Sequence, residues 1–291
     1  MSALKVNAPG TAPAPGTRIT FWYGCNVLRH GDIIHTCVDV LRALGYDPAP
    51  AGGPDFCCGS TKDGNVLAAD GMAQRTVDKL SRKGADRVVA WCPSCHSQSL
   101  EFMSKGYEAQ YDMQYFVELL YEHRERLKPL LVHPVPMRVF LHRHVGFNDK
   151  VAVNEMVPEL LAMIPGLEVV DDDYRGPGYM CAHLATVPAA MLHLVQETEA
   201  RIRRTGADAL VTFFHQCQRE LVGLEAQGVT QVYNYMQLVA RSMGLAYEDE
   251  YKAWKKAGEG AKAAIGERVE KVGVQFFDRA MLPELLKKTP R

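Results

Sequence analysis

The chain has 291 residues, enough for one large core or two domains of about 100–150 residues each. A hydrophobic fraction of 47%, a charged fraction of 23% and a formal net charge of -1 are ordinary for a globular protein and leave no electrostatic footprint for nucleic acid. No apolar run approaches the roughly 18 residues that a membrane span needs, and the opening MSALKVNAPGTAPAPGTR has no apolar core of a secretory signal. This first stretch, 1–18, is expected to be a flexible tail rich in Ala, Pro and Gly.

Residues 19–23 (ITFWY) form a β-branched and aromatic run that predicts a buried strand ending at Gly24-Cys25. Residues 32–44 carry helical apolar spacing and stop at Gly45. A short extended piece, 46–50, leads into a Gly/Pro-rich turn and Cys57-Cys58-Gly59. A helix is expected over 66–82 and a strand over 87–91 (RVVAW), with Cys92 at its end, and helical patterns are expected from there through Arg126. The same plan returns afterwards, with a strand over 137–141, a helix over 154–163 and an extended piece over 167–170. A loop then reaches Cys181, followed by a helix over 187–204 and a strand over 210–214 that ends at His215-Gln216-Cys217.

Alternating strands and helices imply parallel sheets with covering helices, whose ligands gather beyond the carboxyl ends of the strands. The fold class is therefore read as α/β, with two pseudo-repeated Rossmann-like domains, 19–130 and 131–245, and a helical C-terminal extension over 246–291. Internal spacing supports a duplication: Cys58 and Cys181 stand 123 positions apart, and Cys95 and Cys217 stand 122 apart. In the extension, Phe276, Phe277, Met281, Leu282 and Leu285 are expected to pack on the same chain.

Eight cysteines without a secretory signal point to metal or redox chemistry in a reducing compartment, and so to a cytoplasmic protein. Five of them, Cys25, Cys57, Cys58, Cys92 and Cys95, follow the pattern C-x31-C-C-x33-C-x2-C, at or just after expected strand ends. Five thiols exceed by one what a zinc ion or an ordinary cubane iron–sulfur cluster uses. Zinc on four of the five is the competing reading, and it leaves the fifth unexplained. Cys37 lies on an apolar helical face and reads as core, and His30 and His35 read as surface or capping residues.

The five-cysteine pattern, with its adjacent pair and following glycine, resembles the CCG domain found in the B-type subunit of heterodisulfide reductase. The resemblance covers about 19–105 in full and extends as a weakened second copy to about 245. It implies a noncubane [4Fe-4S] cluster on Cys25, Cys57, Cys58, Cys92 and Cys95, with one bridging thiolate, acting on disulfides within a larger complex. The second copy departs from the family: His142-Arg143-His144 stands where a His-x-x-Cys-His is expected. Only one such cluster can therefore be built. His144, Cys181, His215 and Cys217 remain as a second metal site, for a [2Fe-2S] cluster or zinc, with His142 and His183 in reserve.

The lost cysteines make the chain similar to the second B-type subunit of heterodisulfide reductase-like complexes of sulfur-oxidising bacteria. That likeness implies a disulfide, persulfide or lipoyl-bound sulfur substrate. It also implies a C-type iron–sulfur subunit, an A-type flavin subunit and a sister B-type subunit as partners, with a lipoyl carrier protein as the source of sulfur. The alternatives are an electron-transfer-only subunit of that complex, or a CCG subunit paired with an organic-acid or succinate dehydrogenase. No GxGxxG follows a strand, so hydride chemistry belongs to a partner. The candidate catalytic or substrate-binding residues are His96, Arg143, Lys62 and Arg29: Arg29 and Lys62 each lie four residues beyond a ligand cysteine, and His96 directly follows the last one.

Overall fold

A computed structural model describes residues 13–14, 16–60, 64–103, 106–272 and 274–290. The first sheet holds four parallel strands in the order β2-β1-β3-β4, where β1 is Thr17–Gly24, β2 Tyr46–Gly52, β3 Arg87–Ala90 and β4 Asp112–Tyr115. The second sheet repeats the order with parallel pairing as β6-β5-β8-β9, where β5 is Met137–His144, β6 Leu167–Val169, β8 Ala209–Thr212 and β9 Gln231–Asn234. A two-residue strand β7, Arg175–Gly176, pairs with the far end of β5. The architecture is thus two Rossmann-like α/β units, each with its strand order reversing beside its first strand. In such sheets the crevice beyond that reversal receives ligands.

Most expected elements appear within one or two residues of their predicted limits. Helix α1 spans Gly31–Ala43 and α2 spans Val66–Ser81, the latter capped by the Asn65 side chain, which accepts from the Ala68 amide at 3.1 Å. The first unit continues with α3 (Pro93–Gln98) and α4 (Phe116–Glu122). In the second, α5 is Val153–Leu161, α6 Cys181–Leu184, α7 Pro188–Thr205 and α8 His215–Leu221. Besides the two-residue β7, which falls in an expected loop, two strands have no counterpart in the sequence pattern. β4 (DMQY) lies inside a region that reads as helical, and β9 (QVYN) gives no signal. Both are four-residue edge strands, too short and too polar for a period to show. Each leads into a helix closed in the same way. The Tyr115 amide donates to Glu118 Oε2 ahead of α4, and the Asn234 amide donates to Gln237 Oε1, both at 2.9 Å.

One apolar core runs through both units, from Ile19 and Phe21 in β1 to Leu238 and Val239 near the end of the second. Across the seam, Trp91 stacks on Tyr235 with ring centres 5.8 Å apart and Phe147 meets Tyr115 at 5.1 Å; within the second unit Phe147 also meets Phe214 at 5.6 Å. Cys37 lies in this core, fully buried. The C-terminal helices pack on the second unit, where Tyr251, Phe277 and Leu285 bury against Val222, and Lys255 Nζ donates to the carbonyls of Glu284 and Lys287. Met281 and Leu282 pack beside them; the side chain of Phe276 lies outside the described ones. Of the expected flexible tail, 1–12 and residue 15 also lie outside, and β1 begins at Thr17. Among the described residues no helix is long and apolar enough to cross a membrane.

Candidate metal centres

Three chain turns at the carboxyl ends of β1, β2 and β3 carry the five cysteines. β1 ends at Gly24 with φ +86°, and a Cβ built there would stand 3.0 Å from Cys92 Cβ and 3.1 Å from Cys95 Sγ. The bare backbone is what lets the Cys92–Cys95 turn close on Cys25. After β2, Gly59 (φ +90°) presses against helix α2, where a Cβ would lie 2.5 Å from the Ala69 carbonyl oxygen. The Thr76 hydroxyl of the same helix donates to the Cys57 carbonyl at 2.8 Å. After β3, Cys92 stands at the N-cap of the short helix α3, which carries Cys95.

The thiols form a continuous chain of contacts. Cys25 Sγ lies 3.5 Å from Cys57 Sγ; Cys57 touches Cys58, Cys58 touches Cys95, and Cys95 touches Cys92. All are buried except Cys25, which is partly exposed, and all eight cysteines of the chain are free thiols. Their hydrogen bonds to one another, with burial, raise Cys25, raise Cys58 to about 12 and hold Cys95 well above the usual thiol range. Cys92 is pulled the other way by the Cys95 thiol and by the backbone N–H groups of Cys95 and Ser94. A pocket of this kind cannot hold five thiolates unless cationic metal offsets them. The donor set, all sulfur and one more than four, fits an iron–sulfur cluster held by these five residues.

The second unit gathers a different set. His142, His144, Cys181 and Cys217 are all buried, and their ligand atoms all lie within 4.8 Å of one another. His142 Nε2 is 3.1 Å from His144 Nε2 and 3.0 Å from Cys181 Sγ; Cys181 Sγ is 3.5 Å from His144 Nε2, and the Cys181 amide donates to Cys217 Sγ at 3.4 Å. The two histidines share a face because residues two apart on a strand point the same way. His215 is not among these donors, and His142 takes its place. His215 opens helix α8, two residues before Cys217, and so faces nearly the opposite side of that helix. Its ring sits buried at 6.1 Å from that of His30, with neither nitrogen partnered among the described residues. His183 flanks the site from outside, against Tyr179.

A cleft of about 610 Å³ separates the two centres. Asn26, Ser60, Pro93 and Ser94, neighbours of the five thiols, line one wall, and Met180, Ala182 and Gln216, neighbours of Cys181 and Cys217, line the other. Arg219 and His183 supply its basic groups. Nothing in the sequence marks Arg219 except its place two residues past Cys217. Its guanidinium donates to Asn26 Oδ1 at 3.0 Å and pairs with Glu220 at 3.1 Å and with Glu284 at 3.8 Å.

The four candidate catalytic residues fare differently. Arg143 alternates with His142 and His144 on β5, so it points away from them and is held by Asp171 and by Asp173 at 2.6 Å. Its guanidinium is thus turned from the four donors of the second unit and engaged by two carboxylates. Arg29 pairs with Glu284 at 3.0 Å and donates to Asn26 at 3.0 Å, at the edge of the cleft. Lys62 lies outside the described residues. His96 is buried between Tyr115 and Phe147, and burial, aided by Lys150, lowers it to about 4, so it is neutral near pH 7. His30 is not a surface residue: it occupies the N-cap position of α1 but is 1% exposed, packed against Tyr251 and His215. His35, by contrast, is exposed and stacks on Tyr247.

The cysteine-rich CCG domain family matches residues 19–98. The B-type subunit of the CoM/CoB fumarate reductase of Methanothermobacter marburgensis is 26% identical over 246 residues, covering 81% of this chain and 48% of that protein. The D-type subunit of the dihydromethanophenazine:CoB–CoM heterodisulfide reductase of Methanosarcina barkeri is 27% identical over 221 residues, 71% of this chain and 54% of that protein. The chain thus spans about half the length of the curated relatives it matches. Among solved structures, an aspartate racemase homologue from Pyrococcus horikoshii OT3 aligns at TM-score 0.35 and 14% identity over 78% of this chain and 97% of that one, a likeness too low to carry an argument. The five thiols of the first unit fall inside the region that matches the CCG cysteine-rich domain, and the chain as a whole is similar to subunits of a heterodisulfide reductase and of a CoM/CoB fumarate reductase.

Proposed function

We propose that the chain is the iron–sulfur subunit of a cytoplasmic heterodisulfide reductase-like complex, and that it works on a disulfide, persulfide or lipoyl-bound sulfur group in sulfur oxidation. The observation that carries this reading is the unbroken chain of contacts among Cys25, Cys57, Cys58, Cys95 and Cys92 at the sheet's reversal point. These five residues would hold a noncubane [4Fe-4S] cluster. When bound, that cluster supplies one-electron exchange with a sulfur group of the substrate. The rest falls to the chain's own side chains. Arg219 offers its guanidinium to an anionic sulfur group entering the cleft, and Asn26 and Glu220 fix its direction. Trp22 and Ala51 pack beside Cys58, Cys92 and Cys95 and keep water from them.

The partners in this reading are a C-type iron–sulfur subunit, an A-type flavin subunit and a sister B-type subunit, with a lipoyl carrier protein delivering sulfur. The relatives' names, one from a heterodisulfide reductase and one from a CoM/CoB fumarate reductase, support an oxidoreductase complex. The second of those names also favours an alternative in which this chain relays electrons to a flavin partner that acts on an organic acid. Anaerobic purification with iron and acid-labile sulfide analysis tests the cluster, for which about four irons and an equal amount of sulfide per chain are expected. Adding a thiol or persulfide substrate to the oxidised protein should change its EPR spectrum; an unchanged spectrum favours the relay. Zinc in the five-thiol pocket, with no iron, would end both readings.

A further inference from the structure

We infer that His142, His144, Cys181 and Cys217 form a closed, four-coordinate site for one zinc ion, so that the second unit holds a redox-silent metal. The distances separate a mononuclear centre from a binuclear one. Zinc–nitrogen bonds of about 2.0–2.1 Å and zinc–sulfur bonds of about 2.3 Å place the donors of a tetrahedral site about 3.3–3.8 Å apart. Here His142 Nε2 lies 3.1 Å from His144 Nε2 and 3.0 Å from Cys181 Sγ, Cys181 Sγ lies 3.5 Å from His144 Nε2, and no donor is more than 4.8 Å from another. A binuclear cluster spreads its ligands over two irons, which puts donors on opposite irons farther apart than donors sharing one metal. The quartet is already as compact as a single ion requires.

The surroundings agree. His144 Nδ1 lies 2.9 Å from the Pro177 carbonyl, which can only accept. Nδ1 therefore carries the proton, and the Nε2 lone pair is left facing the other three donors. A ligating histidine is oriented in this way by its outer neighbours. Two imidazoles with two thiolates is a set that structural zinc sites use. All four donors are buried, and four ligands leave no position for substrate. Binding is balanced without an oxidant: Zn²⁺ takes two thiolates and two neutral imidazoles, and the two thiols release two protons. The ion would join β5 to α6 and α8, and so fix the wall of the cleft that faces the five thiols.

Metal analysis of the full chain, purified anaerobically from medium containing zinc and iron, provides the test. One zinc per chain is expected. Cys217→Ser and His142→Ala should each lower zinc at least fivefold and leave iron at the wild-type level, whereas Cys92→Ser should lower iron and keep zinc. Zinc K-edge absorption of the wild-type protein should show a mixed shell of two sulfur and two nitrogen donors, a readout that stands even where a variant fails to fold. About two irons in excess of the first site with no zinc, an all-sulfur zinc shell, or zinc retained in Cys217→Ser would each overturn the assignment. Loss of the iron–sulfur reading would show as missing iron and leave the zinc count untouched.

Discussion

Replacing Gly59 by alanine attacks the five-thiol pocket without touching a thiol. The residue closes the Cys57-Cys58-Gly59 turn at φ +90°, where an L-residue costs about 1–2 kcal/mol. The new methyl would lie 2.5 Å from the Ala69 carbonyl oxygen and 3.1 Å from the Ala69 carbonyl carbon and Cα. These are backbone atoms of α2, and no side chain can swing aside. Overpacking of this kind costs about 1–3 kcal/mol more. The total of roughly 2–5 kcal/mol can be relieved only by lifting the turn off α2, against the 2.8 Å hydrogen bond from Thr76 to the Cys57 carbonyl. Moving the turn carries Cys57 and Cys58 away from Cys25 and Cys95. The Gly59→Ala protein should therefore hold less than half the wild-type iron and melt on the order of 10 °C lower. Gly64→Ala, five residues on, is the control, since a Cβ there has nothing within 4 Å among the described residues. Anaerobic iron analysis and differential scanning fluorimetry read both effects. Full iron and an unchanged melting point in Gly59→Ala would refute the claim that this turn sets the thiol geometry.

Arg143→Met should destabilise the chain by about 2–4 kcal/mol, because Asp171 keeps a largely buried carboxylate with no cation; the side chain of Asp171 is 12% exposed. Urea denaturation should show this loss, and the folded fraction should keep wild-type metal content and KM; a raised KM for an anionic substrate would restore Arg143 as a binding residue. Burial, with the neighbouring Asp249 second, raises Asp32 to about 7, against a hydrogen bond from Gln237 that pulls it down. Between the unfolded value near 4 and that folded value the native state holds the extra proton, so stability should fall as pH rises from about 4 through 7 and then level off. Asp32→Asn should remove up to roughly 2–4 kcal/mol of that slope in urea midpoints at pH 5 and pH 8, and an unchanged slope would place the titration elsewhere. Arg219→Ala should raise KM for an anionic sulfur substrate on the order of tenfold, the worth of one charge-assisted hydrogen bond, with a smaller change in kcat. An unchanged KM would take Arg219 out of substrate binding.

The alternation of strands and helices is legible because strands such as 19–23 and 87–91 are buried on both faces and read as continuous apolar runs. Cys25, Cys92 and Cys95 are legible because they follow such runs, and Cys57-Cys58-Gly59 joins them through its adjacent pair and its spacing. β4 and β9 are not, since an edge strand of four residues with polar members shows neither run nor period. The second quartet is half legible. Grouping His144, Cys181, His215 and Cys217 treats nearness in sequence as nearness in space, but direction decides the ligands. Two residues along a strand return to the same face, and two along a helix do not, so His142 enters the cage and His215 leaves it. The burial of His30 is beyond local reading altogether, because Tyr251 and His215, which cover it, come from the C-terminal extension and the second unit.

Both units share one strand order, so the difference between their centres lies in the donors and not in the scaffold. Five sulfurs in one chain of contacts demand more positive charge than one divalent ion supplies, and a multi-iron core supplies it. Two thiols and two imidazoles demand only a divalent ion and enclose it completely. The cleft then has two unlike walls. In the proposed reading one carries the group that exchanges electrons with sulfur, and the other a redox-silent zinc support from which α8 presents Arg219. A disulfide held between such walls would meet a redox metal on one side alone, and the sulfur facing the other wall would rely on protein donors such as Arg219. This separates the chain mechanistically from one with twin clusters. On this argument, a Cys217→Ser variant that has lost its zinc should lose substrate affinity as the wall loosens, before it loses the first unit's EPR signal.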